Sequence, residues 1–254
     1  MLMIESTVLF VVGFISNLLS SLAGGGTGLL QFPALIFLGL PFTAALATHK
    51  VTTVAMGWGA AAQSIKNKNL KKIIILHLIL AGLPGVLIGA EIVLYIPESI
   101  GVFSLGIMNI LLGVYSFFKK DLGQDSVSGR DLTIKKSFLG MVVIFIIGVL
   151  NGSITSGTGL LVTIWLVIFY ELNYRLAIQH MLVVVGILWN AVGATSLALN
   201  GEVNWLWVSI LLPSAFLGSW LGIYLATKIS NFAIKKVFEF FAVLSGIQLI
   251  ISVL

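Results

Sequence analysis

Ser20-Ser21-Leu22-Ala23-Gly24-Gly25-Gly26-Thr27-Gly28-Leu29-Leu30 separates two apolar runs. Three adjacent glycines carry a large backbone entropy cost in a helix, so the chain is expected to break here and restart near Thr27. At an offset of 131 residues, Gly157-Thr158-Gly159-Leu160-Leu161 repeats Gly26-Thr27-Gly28-Leu29-Leu30. In the same register His180 answers His49, Trp189 answers Trp58 and Ala191 answers Ala60. After a two-residue gap, Leu212-Pro213 with Gly218 answers Leu83-Pro84 with Gly89. Apolar helices rich in Gly and Leu resemble one another by composition alone. The chain has only 3 His and 6 Trp, however, and these still align. The register therefore predicts two related halves.

Composition says where those halves live. Of 254 residues 59% are hydrophobic and 9% charged, with a mean hydropathy of +1.12. A water-facing globule carries roughly 25% charged residues, so a soluble enzyme or nucleic-acid-binding domain is excluded. Without cysteine there is no disulfide, thiolate zinc site or iron–sulfur cluster, and no metal site or cofactor is predicted. Met1-Leu2-Met3-Ile4-Glu5 lacks the basic segment of a secretory signal, so the first apolar run is expected to be retained.

A spanning helix needs about 20 mostly apolar residues. Such runs occupy 3–23, 43–65, 71–94, 98–118, 136–155, 174–199, 204–228 and 232–253, while two shorter runs, 27–40 and 158–171, each follow a break. The expected fold is an all-α polytopic membrane protein with about eight long transmembrane helices and two short broken or re-entrant ones. Thirteen of the 14 basic residues fall in four loops: Lys66, Lys68, Lys71 and Lys72; Lys119, Lys120, Arg130, Lys135 and Lys136; Arg175; and Lys228, Lys235 and Lys236. If all four loops are cytoplasmic the positive-inside rule holds throughout. Both termini then lie outside the cytoplasmic membrane with Glu5, Glu91, Glu98 and Glu202, and the pI near 9.5 is an orientation signal. His49 then lies on a helix running inward and His180 on one running outward, which makes the halves an inverted repeat: residues 1–120 and 135–254, joined by a polar cytoplasmic linker over 121–134. Inverted repeats with interrupted helices mark secondary transporters, whose sites lie near the midplane between the halves.

Within that frame the candidate residues cluster. A helical break in a membrane must be buried in protein or line a wet cavity, and a restarting helix offers unpaired N–H groups and a positive dipole end to an anion. Gly25, Gly26, Thr27 and Gly28 form the first break, and Ser156, Gly157, Thr158 and Gly159 the second; close packing through small residues is the alternative use of both. Lys50 is the one basic residue outside the loops. An intramembrane ammonium costs roughly 2.5–3.5 kcal/mol on insertion scales. No Asp or Glu sits near the centre of any predicted span, so an anionic substrate is its natural complement, and release of that anion could free a proton. A snorkelling lysine is the alternative. His49 and His180 could hydrogen-bond an anion or carry a proton; Gln179 and Asn190 are uncharged donors. Trp58 and Trp189 lie deep in their helices, as gates or as packing. A catalytic reading would use Ser156 or Ser153 as nucleophile and His180 as base, oriented by Asn190, but it does not explain a matching His in each half. An anion channel shares the whole binding logic of a carrier.

The stretch Gly13-Phe14-Ile15, Leu22-Ala23-Gly24-Gly25-Gly26-Thr27-Gly28-Leu29-Leu30, Phe32-Pro33-Ala34-Leu35, Gly39 and Ala45-Leu46-Ala47-Thr48-His49-Lys50 resembles the TauE/SafE family of sulfite and organosulfonate exporters. Here His49 replaces the family's usual Asn, and no Lys in the second half matches Lys50. The resemblance implies export of a sulfur-containing oxyanion, sulfite or a small sulfonate, driven by an ion or proton gradient. The residues alone imply an anion transporter; which anion it carries rests on the resemblance. The expected partners are a small anion and the lipid bilayer, with no nucleic acid and with a homo-oligomer left open.

Overall fold

The computed structural model describes residues 2–23, 27–64, 70–118, 134–200, 202–226, 228, 240 and 243–254. The glycines at 24–26, the basic residues Lys66, Lys68, Lys119, Lys120, Arg130, Lys235 and Lys236, and nearly all of the 121–134 linker lie outside the described residues. What is described is helical. Helix α1 is Leu2–Ala23, α2 Thr27–Phe37 and α3 Phe42–Ser64; α4 (Lys72–His77) runs through a π segment, Leu78–Gly82, into α5 (Leu83–Val93). Helix α6 is Glu98–Phe118, α7 Ile134–Ser153 and α8 Thr158–Ile168; α9 (Tyr174–His180) runs through a second π segment, Met181–Trp189, into α10 (Asn190–Leu199), and α11 is Trp205–Leu225.

Among the described residues five helices are long and apolar enough to cross a membrane: Glu5–Leu22, Lys72–Val93, Glu98–Tyr115, Leu176–Leu199 and Trp205–Leu225. Eight were expected. Helix α3 fills its predicted range at 23 residues, but His49, Lys50 and four threonines make it too polar to qualify. The apolar part of α7, Ser137–Ser153, falls just short of span length, and most of 232–253 lies outside the described residues. The two short helices, α2 and α8, have 11 residues each and begin 131 residues apart. At 1.5 Å per residue each reaches about 16 Å, half of a ~30 Å hydrocarbon core. Val11, Ile15, Leu80, Leu87, Leu111, Ile146 and Leu217 stand exposed on helix flanks, the pattern of a lipid-facing surface rather than a wet one.

Packing fixes helix directions. The Phe42 N–H donates to Glu98 Oε1 at 2.9 Å, Thr43 Oγ1 to Glu202 Oε2 at 3.0 Å and Ser196 Oγ to Glu91 Oε1 at 2.9 Å. The start of α3, the end of α10 and the approach to α11 therefore share one end of the molecule with all three carboxylates. At the other end the Lys71 N–H donates to His180 Nε2 at 2.8 Å, bringing the start of α4 to α9. Helix α3 and the α9–α10 helix consequently run antiparallel, and they cross where a Cβ on Gly57 would meet Gly186 and Ile187 backbone at 2.8–2.9 Å.

The outer contacts reciprocate in the same sense. On α11, Gly218 seats on the Phe14 carbonyl and Gly222 on the Leu18 carbonyl of α1; on α5, Gly85 seats on the Phe145 carbonyl and Gly89 on the Val149 carbonyl of α7. Each pair is a four-residue glycine spacing that lets backbones touch. Phe14 and Phe145 keep the offset of 131, as do positions 18 and 149. By these contacts Gly218 corresponds to Gly85 rather than to Gly89, one helical turn from the pairing read in the sequence.

Candidate functional site

The breaks meet at the centre. A Cβ on Gly28, in the first turn of α2, would lie 2.9 Å from the Ser156 Cα, so glycine is required for the two breaks to touch. The single Ser156 O–H faces two acceptors, the Gly28 carbonyl at 3.2 Å and Asn109 Oδ1. Asn109, buried on α6, in turn donates to the Leu29 carbonyl at 3.3 Å and to Ser245 Oγ at 3.0 Å. The second break is made by backbone conformation. Thr155 (φ 58°) and Gly157 (φ 67°) both sit in the left-handed region, which costs a non-glycine residue such as Thr155 about 1–3 kcal/mol and is characteristic of functional sites. Gly157 caps α8, and Thr158 Oγ1 donates to the Thr155 carbonyl at 2.7 Å.

Between the breaks is a cavity of about 350 Å³ of atom-free space, its mouth included, lined by Ser20, Thr27, Gly28, His49, Thr53, Met56, Asn151, Thr155, Gly157, Thr158, Gly159, Met181, Val185, Gly186 and Asn190. Among the described residues no carboxylate is in that wall. The starts of α2 and α8 both contribute to it; the first N–H groups of a helix have no partner within the helix, and in α8 the Thr158 N–H is taken by the Thr155 carbonyl at 3.2 Å. Among the described residues Ser20 Oγ and Thr27 Oγ1 reach only the Met56 thioether, at 3.8 and 2.9 Å. Sulfur is a weak acceptor, so both hydroxyls are donors at little cost.

Lys50 lies immediately behind this wall and is fully buried. Its Nζ donates to the Asn151 carbonyl at 2.6 Å, to Asn151 Oδ1 at 3.2 Å and to Thr155 Oγ1 at 3.4 Å. The sequence offered no carboxylate to this ammonium. The fold offers it the carbonyl end of α7, where the helix dipole is negative. Lys50 thus ties α3 of the first half to the break of the second, and Asn151 passes the order on by donating to Thr158 Oγ1 at 2.8 Å.

Of the predicted residues, Thr27, Gly28, His49, Gly157, Thr158, Gly159 and Asn190 line the cavity, Ser156 joins the two breaks, and Lys50 stands one layer behind; Gly25 and Gly26 lie outside the described residues. His180 is elsewhere: its Nδ1–H donates to the Leu176 carbonyl at 2.8 Å while Nε2 takes the Lys71 N–H, so both ring nitrogens serve backbone. Ser153 Oγ donates to the Val149 carbonyl. Neither serine meets His180, and the nucleophile–base pair of the catalytic reading is not assembled. Gln179 is half-buried and outside the lining. Trp58 is 56% exposed and faces away. Trp189 is fully buried, its Nε1–H donating at 2.9 Å to the Leu78 carbonyl in the first π segment, against Gly82; it closes a broken backbone ladder instead of facing the cavity. Ser20, Asn151 and Thr155 belong to the two break stretches, 20–28 and 151–159, and the offset of 131 pairs Ser20 with Asn151, a polar residue on each approach to a break; Thr53, Met56, Met181, Val185 and Gly186 line the cavity with no signal in the sequence.

The profile of the sulfite exporter TauE/SafE family matches residues 9–249. A "Probable membrane transporter protein" of Haemophilus influenzae is 25% identical over 215 residues, covering 85% of this chain and 82% of its own length. The "Probable membrane transporter protein YunE" of Bacillus subtilis is 24% identical over 270 residues, 96% of each chain. The "Probable membrane transporter protein YfcA" of Escherichia coli is 26% identical over 215 residues, 85% of this chain and 78% of its own. No solved structure matches the chain.

Proposed function

The chain belongs to the TauE/SafE family, a multi-pass membrane transporter family, and from that membership we propose that it is a secondary carrier exporting sulfite or a small organosulfonate through the cavity between its two breaks. The observation that carries this reading is the character of the cavity wall: two helix starts and two loosely held hydroxyls, with no carboxylate. Such a wall suits a compact oxyanion, whose several oxygens each take an N–H or O–H donor.

The halves, residues 1–120 and 135–254, act as an inverted repeat joined by a cytoplasmic linker over 121–134, with both termini outside. The antiparallel central helices and the reciprocal glycine contacts support this, and so does the separation of Glu91, Glu98 and Glu202 from the Lys71 end. Lys50 contributes its positive charge from behind Asn151 and holds Asn151 and Thr155 in place; it is a positioning residue for the anion. Rocking of one half against the other around the fixed site alternates access, the coupling gradient being ionic or protonic.

The test is flux through proteoliposomes with sulfite, sulfate, sulfoacetate and chloride in parallel. Saturable flux of sulfite or the sulfonate above protein-free vesicles is the expected result. A large unsaturating conductance for all four would make the protein a channel, and no flux of any would reject the reading.

A further inference from the structure

Two buried side-chain atoms of residues that line the cavity lack a partner among the described residues: His49 Nδ1 and Asn190 Oδ1. Both residues line the cavity, at 2% and 3% exposure. Their chemical character follows from their other bonds. Thr53 Oγ1 spends its one hydrogen on the His49 carbonyl at 2.8 Å, so in its 3.3 Å contact with His49 Nε2 it can only accept. Nε2 therefore carries the ring proton, and Nδ1 of the neutral imidazole is an acceptor. Asn190 Nδ2 donates to the Val185 carbonyl at 2.7 Å, which fixes the amide orientation and leaves Oδ1 as the free acceptor. One cavity thus combines donors on the helix starts and Ser20 and Thr27 with two buried acceptors. A buried unsatisfied polar atom is rare enough to call for an explanation, and two acceptors in one cavity call for a ligand that donates.

Resting on the oxyanion reading above, we infer that the transported anion also carries its own hydrogen-bond donor, a hydroxyl or ammonium group beside the sulfonate or an acidic O–H on the oxyanion, and that His49 and Asn190 form the subsite that reads it. The oxyanion end is held by the helix starts and the donor end by Nδ1 and Oδ1. A site built around a polar group rejects the analogue that lacks it, because the site's own buried atoms are then left unpaired. An anion of equal size without a donor should bind at least tenfold more weakly.

The experiment uses the purified full chain in detergent and compares 2-hydroxyethanesulfonate and 2-aminoethanesulfonate with ethanesulfonate, which is nearly isosteric but has no donor. Binding is read as the concentration dependence of thermal stabilisation and, in proteoliposomes, as competition with labelled sulfite. The expected result is at least tenfold tighter binding of the donor-bearing sulfonates. The hydroxyl and ammonium arms tell the two donor sources apart. In Asn190→Leu, and in His49→Phe, which retains the stacking on Phe32, that preference should collapse to about threefold or less, read as the ratio of the two affinities within each variant. Equal binding of ethanesulfonate, 2-hydroxyethanesulfonate and 2-aminoethanesulfonate to the wild type overturns the inference and leaves the anion reading standing. Binding of none of the sulfonates while labelled sulfite is still taken up overturns the inference alone; no uptake of sulfite either overturns both.

Discussion

Replacing Lys50 by methionine removes the buried ammonium while keeping the aliphatic stem. Two stability terms oppose each other. The Asn151 carbonyl loses its 2.6 Å donor, and an orphaned buried acceptor costs about 1–3 kcal/mol. Against that, the chain no longer holds an ammonium inside the membrane, which relieves roughly 2.5–3.5 kcal/mol. The terms nearly cancel, so Lys50→Met should fold and melt within a few degrees of wild type. Transport is another matter. Asn151 and Thr155 lose the ammonium that holds them in the wall, and a misplacement of about 1 Å costs on the order of 100-fold, so kcat/KM for sulfite should fall by roughly that factor. Lys50→Arg does not restore it. Gly193 lets the Lys50 stem pass close, since a Cβ there would meet Lys50 Cδ and Cε at 3.0 and 3.2 Å, and a planar fork does not place its charge as the compact ammonium does. Flux into proteoliposomes, with a melting curve of the same preparation, checks both halves of the prediction. A folded Lys50→Met protein with wild-type kcat/KM refutes the reasoning and reduces Lys50 to a tether.

Other consequences follow from the same contacts. Gly28→Val should separate the two breaks, since any Cβ there meets the Ser156 backbone; a loss of 1–3 kcal/mol in stability, typical of overpacking, and of nearly all flux should register in the same two assays. Trp189→Phe leaves the Leu78 carbonyl without its 2.9 Å donor and should lower stability by about 1–3 kcal/mol, whereas Trp58→Ala, at an exposed position, should change flux less than twofold. Gly222→Leu and Gly89→Leu each drive a side chain into a facing backbone carbonyl and should abolish the folded protein on size-exclusion chromatography, with the same outcome in each half.

The breaks, the register of 131 and the singularity of Lys50 were legible in the sequence because glycine runs, rare residues and buried charge are local signals. What each side chain faces was not. Trp58 and Trp189 align, yet one faces outward and the other is buried. Gly57 packs on Gly186 and Gly59 on Phe216, so Trp58 between them turns away. Trp189 ends a nine-residue π segment with no counterpart in α3, and its wider turns rotate every later position relative to an α-helix. His49 and His180 diverge for a simpler reason. The hydroxyl of Thr53 that holds His49 has Val184 at the equivalent position, and His180 instead receives the N–H of Lys71. The partner of Lys50 escaped notice because it is a backbone carbonyl exposed by the break, and no residue type advertises that.

The central claim, that an oxyanion is carried through the cavity between the breaks, meets its most direct test in counterflow. Proteoliposomes loaded with unlabelled sulfite are diluted into a trace of labelled sulfite, with Gly28→Val vesicles as the blocked control. A transient accumulation of label above equilibrium is expected in the wild type and none in the control. Label entering wild-type vesicles no faster than protein-free ones, or equally well with Gly28→Val, would contradict it.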